Sequence, residues 1–243
     1  MRLTVLGCGD AFGSGGRLNT CFHVAGDGTG FLIDCGASAL IAMRRFGVDP
    51  NGIDTVFLTH LHGDHFGGLP WLILDGQLVS HRRTPLTIVG PPGIRERLPA
   101  AMEVLFPGSS TAKRAFTVAV REIVAGEPGA FGGVEVEAFA VEHPSGAPAH
   151  ALRLAHAGRV VTYTGDTQWV EALIPAGRDA DLMIAEGYTV ERPVRFHLDW
   201  ATLNRNLPEI APRRLMLTHM SPEMIAHPAE GYIAAEDGLV LEL

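Results

Sequence analysis

This chain of 243 residues has little of what several protein classes require. It has only three cysteines, Cys8, Cys21 and Cys35, and no C-x-x-C pair, so neither a disulfide framework nor a thiolate zinc site is indicated. We predict that they are small buried hydrophobes. No apolar run approaches the roughly 18 residues that a membrane span needs, and the first residues lack the apolar segment of a signal peptide. We therefore expect a cytoplasmic protein with no membrane partner.

Basic charge is also scarce. The chain has 19 Lys and Arg against 27 Asp and Glu, a formal net charge of -8, with 19% charged and 47% hydrophobic residues. A protein that coats nucleic acid needs an excess of Lys and Arg, and a disordered acidic tail needs fewer apolar residues. The composition excludes both classes and favours a compact chain, in which 29 glycines and 16 prolines indicate many short turns.

Short apolar, β-branched runs recur along the chain and indicate strands that are joined by turns. Strands are predicted at residues 3–6, 21–24, 31–34, 55–58, 86–89, 116–124, 134–141, 151–154, 160–163, 181–185 and 214–217, and helices at 37–46, 66–79, 93–105 and 168–173. This order predicts an α/β fold with two mixed sheets face to face and helices outside, a four-layer αββα sandwich. Because no linker-like segment divides the halves, we predict one domain over residues 1–243.

The most informative segment follows the strand predicted at residues 55–58. Residues 59–65, THLHGDH, contain three imidazoles, those of His60, His62 and His65, together with the carboxylate of Asp64. Neutral imidazole and carboxylate are ligands that zinc and similar divalent ions prefer, and Gly63 allows a tight turn between them. The segment therefore predicts a metal-binding loop.

Two ions would need more ligands than this loop supplies. Three further candidates, His143, Asp166 and His219, each follow an apolar predicted strand. Ligands at the ends of rigid strands keep the fixed geometry that a metal site requires, so we predict that they converge with the loop at one edge of the sandwich. The cofactors are then two divalent ions, with zinc the first expectation, since the same ligands also suit manganese and iron.

These motifs together resemble the metallo-β-lactamase superfamily of hydrolases. The residues that carry the resemblance are HLHGDH at 60–65, the lone His143, TGD at 164–166 and LTH at 217–219. The segments LGCGDAF at 6–12, LIDCG at 32–36 and GGLP at 67–70 are most similar to the ribonuclease Z branch, which also includes small cyclic-nucleotide and phosphonate-linked phosphodiesterases. The resemblance thus covers most of the chain and supports the predicted sandwich.

The resemblance implies a role for each candidate residue. His60, His62 and His143 bind one metal ion, Asp64, His65 and His219 bind the other, and Asp166 bridges the two. A metal-bridging hydroxide attacks phosphorus, and Asp64 orients it or takes its proton. Glu186 and His197 help to protonate the leaving group, which agrees with the general chemistry of an imidazole beside a carboxylate.

The chain departs from that family at one place, and this difference indicates the expected substrate. Members that mature tRNA usually carry a long arm rich in Gly and Pro between the lone histidine and the bridging aspartate. Only 22 residues separate His143 from Asp166 here, and they are predicted as strands and a turn. The net charge of -8 also opposes the binding of a large polyanion. We predict a phosphodiesterase for a small-molecule or short-nucleotide phosphodiester, and structured tRNA is disfavoured as a partner. A homodimer is implied by the resemblance alone.

Two alternatives remain open from the sequence. The same site could hydrolyse a carboxylic or sulfuric ester, a lactone or a thioester, and the chain could instead be a non-hydrolytic metal-binding or redox module. A β-lactamase is disfavoured because no export signal is present. The Gly-rich segment at residues 13–17 precedes no predicted helix, so we interpret it as a mobile loop near the rim of the site and not as a phosphate-binding loop.

Overall fold

The computed structural model describes residues 1–243, and its fourteen strands form two sheets of seven strands each. The first sheet contains β1 (Arg2–Gly7), β2 (Cys21–Gly26), β3 (Thr29–Ile33), β4 (Thr55–Phe57), β5 (Leu86–Gly90), β6 (Val118–Glu122) and β14 (Val240–Glu242). The second contains β7 (Gly129–Phe131), β8 (Val134–Val141), β9 (Ala149–His156), β10 (Arg159–Tyr163), β11 (Leu182–Glu186), β12 (Leu215–Thr218) and β13 (Ile233–Ala234).

Seven α-helices accompany the sheets, and two short 3-10 turns lie at Ser14–Gly16 and Pro50–Gly52. The helices are α1 (Ala39–Phe46), α2 (Gly63–Phe66), α3 (Leu69–Leu78), α4 (Ile94–Leu105), α5 (Leu173–Gly177), α6 (Trp200–Ile210) and α7 (Pro222–Ile225). None of them combines the length and the apolar character that crossing a bilayer requires.

The two sheets mix strand directions in the same way. Their strand orders are β14-β1-β2-β3-β4-β5-β6 and β13-β12-β11-β10-β9-β8-β7. From β3 to β6 and from β10 to β13 neighbouring strands are parallel, and the other pairs are antiparallel. The carboxyl ends of the parallel strands of an open α/β sheet are where such folds place ligands. Here that edge carries the loops that hold the predicted site residues.

Three apolar cores hold the layers together. The central core joins the sheets, with Phe22, Phe31 and Phe57 of the first packed with Tyr163 and Ile184 of the second. A second core packs α1, α3 and α4 on the outer face of the first sheet. A third packs α5, α6 and α7 on the outer face of the second sheet. The predicted αββα sandwich is therefore confirmed.

The helix predicted over residues 66–79 is interrupted. It is divided into α2 and α3, because the backbone between them turns against the loop that follows β3. Gly68 N donates to Cys35 O at 2.8 Å, and a Cβ on Gly68 would lie only 2.3 Å from Gly36 O. Glycine is required here because the two backbones touch.

The helix predicted over residues 168–173 is wrong, since α5 begins only at Leu173. Gln168 instead bonds neighbouring loops: its backbone N donates to Glu142 O at 3.4 Å, and its Oε1 accepts from Phe196 N at 3.3 Å. These tertiary contacts hold the segment in an irregular conformation.

Two smaller predictions are confirmed. The three cysteines are free and buried. Between His143 and Asp166 the chain forms β9, a turn at residues 157–158 and β10, which is the predicted succession of strands and turn. Self-association remains a prediction.

Candidate active site

All nine residues singled out in the sequence come together at the carboxyl edge of the parallel strands. They reach it from five places in the chain: the loop after β4 with α2, and the segments that follow β8, β10, β11 and β12. The residues are His60, His62, Asp64, His65, His143, Asp166, Glu186, His197 and His219. The convergence shows that these side chains can act together, whereas their individual roles remain predictions.

Three histidines form the first group. His143 Nε2 lies 3.0 Å from His62 Nδ1. The centroid of the His60 ring lies 5.0 Å from that of His62 and 4.8 Å from that of His143. One nitrogen of each residue lies within 4.8 Å of the others, so a single cation could contact all three.

Two carboxylates and two histidines form the second group. His65 Nε2 lies 3.2 Å from Asp64 Oδ2 and 3.3 Å from Asp166 Oδ1. His219 Nε2 lies 3.4 Å from Asp64 Oδ2 and 3.2 Å from Asp166 Oδ2. The nitrogens of the two imidazoles and the oxygens of the two carboxylates thus alternate around one point.

Asp166 also faces the first group. Its Oδ2 lies 3.9 Å from His60 Nε2 and 3.8 Å from His143 Nε2, in addition to its contact with His219. The carboxylate is almost wholly buried. It is the one side chain that stands between both groups.

Asp34 supports this arrangement, although the sequence analysis did not single it out. Its Oδ2 accepts a hydrogen bond from His65 Nδ1 at 2.7 Å and another from Thr59 Oγ1 at 2.8 Å, and its Oδ1 accepts from Thr59 N at 2.8 Å. Thr59 Oγ1 in turn accepts from His60 Nδ1 at 3.0 Å. Asp34 therefore orients two of the histidines from behind.

The signal for Asp34 was present in the chain. It directly follows β3 at the same edge, as Asp166 follows β10, so the rule that found Asp166 applies to it as well. Asp34 and His219 both have a φ of 57°. A non-glycine residue in this left-handed region costs about 1 kcal/mol or more, and such strain concentrates at functional sites.

The residues fit divalent metal ions. Four buried atoms of the site have no hydrogen-bond partner: His219 Nδ1, which lies 3.4 Å from Glu186 Oε1, and His60 Nε2, His65 Nε2 and Asp166 Oδ1, which lie at the two groups. The opposite nitrogen of His60 and of His65 is bonded, and His143 likewise donates from Nδ1 to Phe196 O at 3.1 Å. Buried polar atoms normally have partners, and histidine ligands normally donate from their far nitrogen. A cation bound at the two groups would give His60 Nε2, His65 Nε2 and Asp166 Oδ1 the partner that they lack.

Protons compensate the carboxylates when no metal is bound. Burial alone would lower the pKa of His219, but the Asp166 charge and a hydrogen bond to Asp64 raise it to about 10. Burial alone would raise the pKa of Asp166, but His219 and His65 hold it well below its usual range. Because metal ligands must be deprotonated imidazoles and carboxylates, a bound cation would replace these protons.

Glu186 and His197 form a separate pair beside the second group. His197 Nδ1 donates to Glu186 Oε1 at 2.5 Å, and Glu186 Oε2 accepts from Thr167 N at 2.9 Å and from Leu198 N at 3.2 Å. Burial alone would lower the pKa of His197, but the hydrogen bond to Glu186 and its charge raise it. The pair is therefore built to keep a proton on the imidazole.

A cavity of about 190 Å³ opens onto the groups. Six of the nine predicted residues line it: His62, Asp64, His143, Asp166, His197 and His219. Asp10, Ala11, Phe12 and Tyr188 complete its wall; the sequence analysis named none of them as site residues, although the first three lie in the LGCGDAF segment. The Gly-rich segment at residues 13–17 directly follows Phe12 in the chain but does not itself line the cavity, and Asp10 binds it by hydrogen bonds, including Ser14 N to Asp10 Oδ1 at 2.9 Å.

Comparisons with known proteins agree with this geometry. Residues 1–233 match the family model described as anti-Pycsar protein Apyc1. A ribonuclease Z from Haloferax volcanii is 30% identical over 314 aligned positions, which cover 100% of this chain and 95% of that protein. The alignment is 71 positions longer than the 243-residue chain, so the relative carries at least that many residues without a counterpart here.

Solved structures show the same fold. The short form of human tRNase Z superposes with a TM-score of 0.84 at 25% identity, covering 100% of this chain and 99% of that one. A diphosphatase from the PhnP family superposes with a TM-score of 0.78 at 20% identity, covering 100% and 97%.

One explanation accounts for three findings: the sandwich, the clustered imidazoles and carboxylates, and a relative that is 30% identical over the whole chain. The chain is a metal-dependent hydrolase of the nuclease and phosphodiesterase type, and it belongs to the anti-Pycsar protein Apyc1 family, close to ribonuclease Z within the metallo-β-lactamase superfamily.

Proposed function

We propose that this protein holds two divalent metal ions, with zinc the first expectation, and hydrolyses a small or medium phosphodiester. The position of Asp166 carries the proposal, because its carboxylate contacts nitrogens of both histidine groups. His60, His62 and His143 would hold one ion, and Asp64, His65 and His219 the other. Ions in such a site lower the pKa of water from 15.7 toward about 7 and stabilise charge that develops on phosphoryl oxygens.

The chain's own residues would supply the proton transfers. Asp64 lines the cavity with an ionised carboxylate, since burial raises its pKa but the adjacent imidazoles of His219 and His65 lower it by more than this. It would orient the attacking water and accept its proton. His197 also lines the cavity, and its Nδ1 is occupied by Glu186, so Nε2 would protonate the departing oxygen.

Three observations support a small substrate. The cavity of about 190 Å³ is below the roughly 300 to 1,000 Å³ of ordinary ligand pockets, so it admits the phosphodiester and little more. The chain between His143 and Asp166 consists of the β9–β10 hairpin and short loops. The net charge of -8 opposes long polyanions.

Metal analysis and a substrate panel test the proposal. Protein purified without added metal should contain about two ions per chain. Its turnover should be fastest on bis(4-nitrophenyl) phosphate, cyclic nucleotides or dinucleotides, and slow on precursor tRNA. The panel also includes a lactone, a thioester and a β-lactam. An Asp64→Asn variant should lose turnover, whereas Glu209→Gln, an exposed carboxylate on α6, is the matched control.

Each alternative has its own outcome. Fewer than one ion per chain contradicts the binuclear site. Faster turnover of the lactone or thioester than of any phosphodiester favours a carboxylic-ester hydrolase. Bound metal with redox activity and no hydrolysis favours the redox module.

A further inference from the structure

Phe12 is the most conspicuous feature of the site that hydrolysis does not explain. It is 87% exposed, the highest value among the large hydrophobic side chains, and it lines the rim of the cavity. Single exposed apolar residues are common on protein surfaces, so exposure alone has no meaning. What distinguishes Phe12 is the combination of exposure, position beside the phosphodiester cavity, and a rigid support.

The support is a hydrogen-bonded loop. Asp10 is buried, and its Oδ1 accepts from Phe12 N at 3.1 Å and from Ser14 N at 2.9 Å, while its Oδ2 accepts from Ser14 Oγ at 2.6 Å. Gly13 N also donates to Asp10 O at 3.2 Å. These four bonds fix the backbone of residues 10–14 that carries the Phe12 side chain.

The loop is also attached to the metal groups. Cys8 O accepts from His219 N at 3.0 Å and from Thr218 Oγ1 at 3.2 Å. Phe12 is thus four residues from a backbone contact with a predicted metal ligand. The position of its ring relative to the site is therefore set by the same structure that positions His219.

The size of the cavity indicates what the ring meets. The cavity of about 190 Å³ is below the roughly 300 to 1,000 Å³ of ordinary ligand pockets, so the ester substituents of a phosphodiester held at the metal groups would extend past the rim, where Phe12 stands. Tyr188, on the wall of the same cavity, already packs on His197 with ring centroids 4.8 Å apart. Phe12 has no such partner and presents a free aromatic face to the emerging substituent.

We propose that Phe12 is a specificity-determining residue whose ring stacks on a nucleobase carried by the substrate. This rests on the proposed phosphodiesterase function, because it places the phosphate in the cavity. Every base has a π-face, so a single phenyl ring favours base-bearing substrates over aliphatic ones and discriminates little between bases. Phe12 acts on substrate affinity and not on the reacting atoms.

Binding of two non-hydrolysable product analogues tests this inference. Adenosine 5′-monophosphate and ribose 5-phosphate carry the same phosphate and sugar and differ in the base. In the zinc-loaded protein, calorimetry should find the nucleotide bound more tightly. Phe12→Ala should weaken nucleotide binding roughly 5- to 20-fold, the lower part of the range for base–aromatic stacking, and leave ribose 5-phosphate unchanged. Phe12→Trp should retain the preference.

Val104→Ala is the matched control, since Val104 is 83% exposed and lies on α4 outside the cavity. It should change neither affinity. With a cyclic nucleotide as substrate, Phe12→Ala should raise KM and leave kcat nearly unchanged, as expected when an interaction is equal in ground and transition states.

The outcomes separate the two proposals. Equal affinity of wild type for the two analogues, binding of neither, or equal weakening of both by Phe12→Ala would overturn the role of Phe12. If phosphodiesters are still hydrolysed, the proposed function survives that result. If the base preference depends on Phe12 but no phosphodiester is hydrolysed, the stacking role stands and the proposed function fails.

Discussion

Two buried carboxylates, Asp34 directly after β3 of the first sheet and Glu186 at the end of β11 of the second, support the site in different ways. Both carboxylate oxygens of Asp34 accept hydrogen bonds, from Thr59 and from His65, a predicted metal ligand. Glu186 accepts hydrogen bonds from two backbone N–H groups and from His197, which is not a predicted ligand and lines the cavity, and its Oε1 also lies 3.4 Å from Nδ1 of the predicted ligand His219. The difference indicates a division of labour. We propose that the network around Asp34 mainly serves metal binding and that the network around Glu186 mainly serves proton transfer.

Asp166 lies between the two networks, so its loss should impair both metal binding and turnover. Asp166→Ala should remove metal and reduce phosphodiester turnover roughly 10,000-fold or more, since metal ions contribute several kcal/mol to the barrier and each 1.36 kcal/mol is tenfold. Metal analysis and initial rates measure both effects. Glu209→Ala, on the exposed side of α6, serves as the control. Retention of both ions would mean that Asp166 is not shared.

Removing the proton donor should affect turnover alone. His197→Ala should lower kcat roughly 100- to 10,000-fold, the range for a positioned general acid, and leave metal content at the wild-type value. Rates on a diester with a good leaving group such as 4-nitrophenolate should fall least. Loss of metal in this variant would assign His197 to the ligands and remove the contrast between the networks.

Glu186→Gln should give a smaller effect and a shifted pH profile. The carboxylate raises the pKa of His197, so the wild-type imidazole stays protonated to higher pH. Without that charge the alkaline limb of the kcat profile should move to lower pH. The rate near neutral pH should fall about 10- to 100-fold, the equivalent of a hydrogen bond to a charged group. An unchanged limb would contradict the role of Glu186.

Asp34→Asn should weaken metal binding instead. Partners of metal-bound histidines typically contribute 10- to 100-fold in metal affinity, and we expect a decrease of about that size in a chelator competition assay. Excess zinc should restore most of the turnover, which it should not do for Glu186→Gln. If Asp34→Asn keeps full affinity but loses turnover, the division of labour is wrong.

The smallest effect is expected for His23, a histidine that has no buried carboxylate beside it. Burial lowers its pKa to about 4, with a further decrease from the Arg2 charge. The unfolded chain takes up this proton below about pH 6.5 whereas the folded chain does not, so stability falls as pH decreases from 6.5 toward 4. His23→Gln should lose less of its Tm between pH 7 and pH 5 than wild type. His81→Asn, at an exposed position, should behave like wild type.

The sequence predicts some of these regions better than others. The loop from His60 to His65 is recognisable because four candidate ligands, three imidazoles and one carboxylate, fall within six residues. His143, Asp166 and His219 were found because each follows an apolar strand, and Asp34 was missed although it does the same. The segment at residues 168–172 was misassigned because Gln168 bonds other loops, and no local pattern records those contacts.

The amino-acid sequence by itself determined the alternation of strands and helices, the sandwich, and the residue types of the site, since these depend on local periodicity and on the chemistry of side chains. Only the tertiary structure decided that Asp166 stands between two groups, that Asp34 and Glu186 orient different histidines, and that Phe12 projects at the rim. The physical reason is distance along the chain. A contact such as that between Asp64 and His219 joins residues 155 positions apart, and it exists only when both sheets have packed.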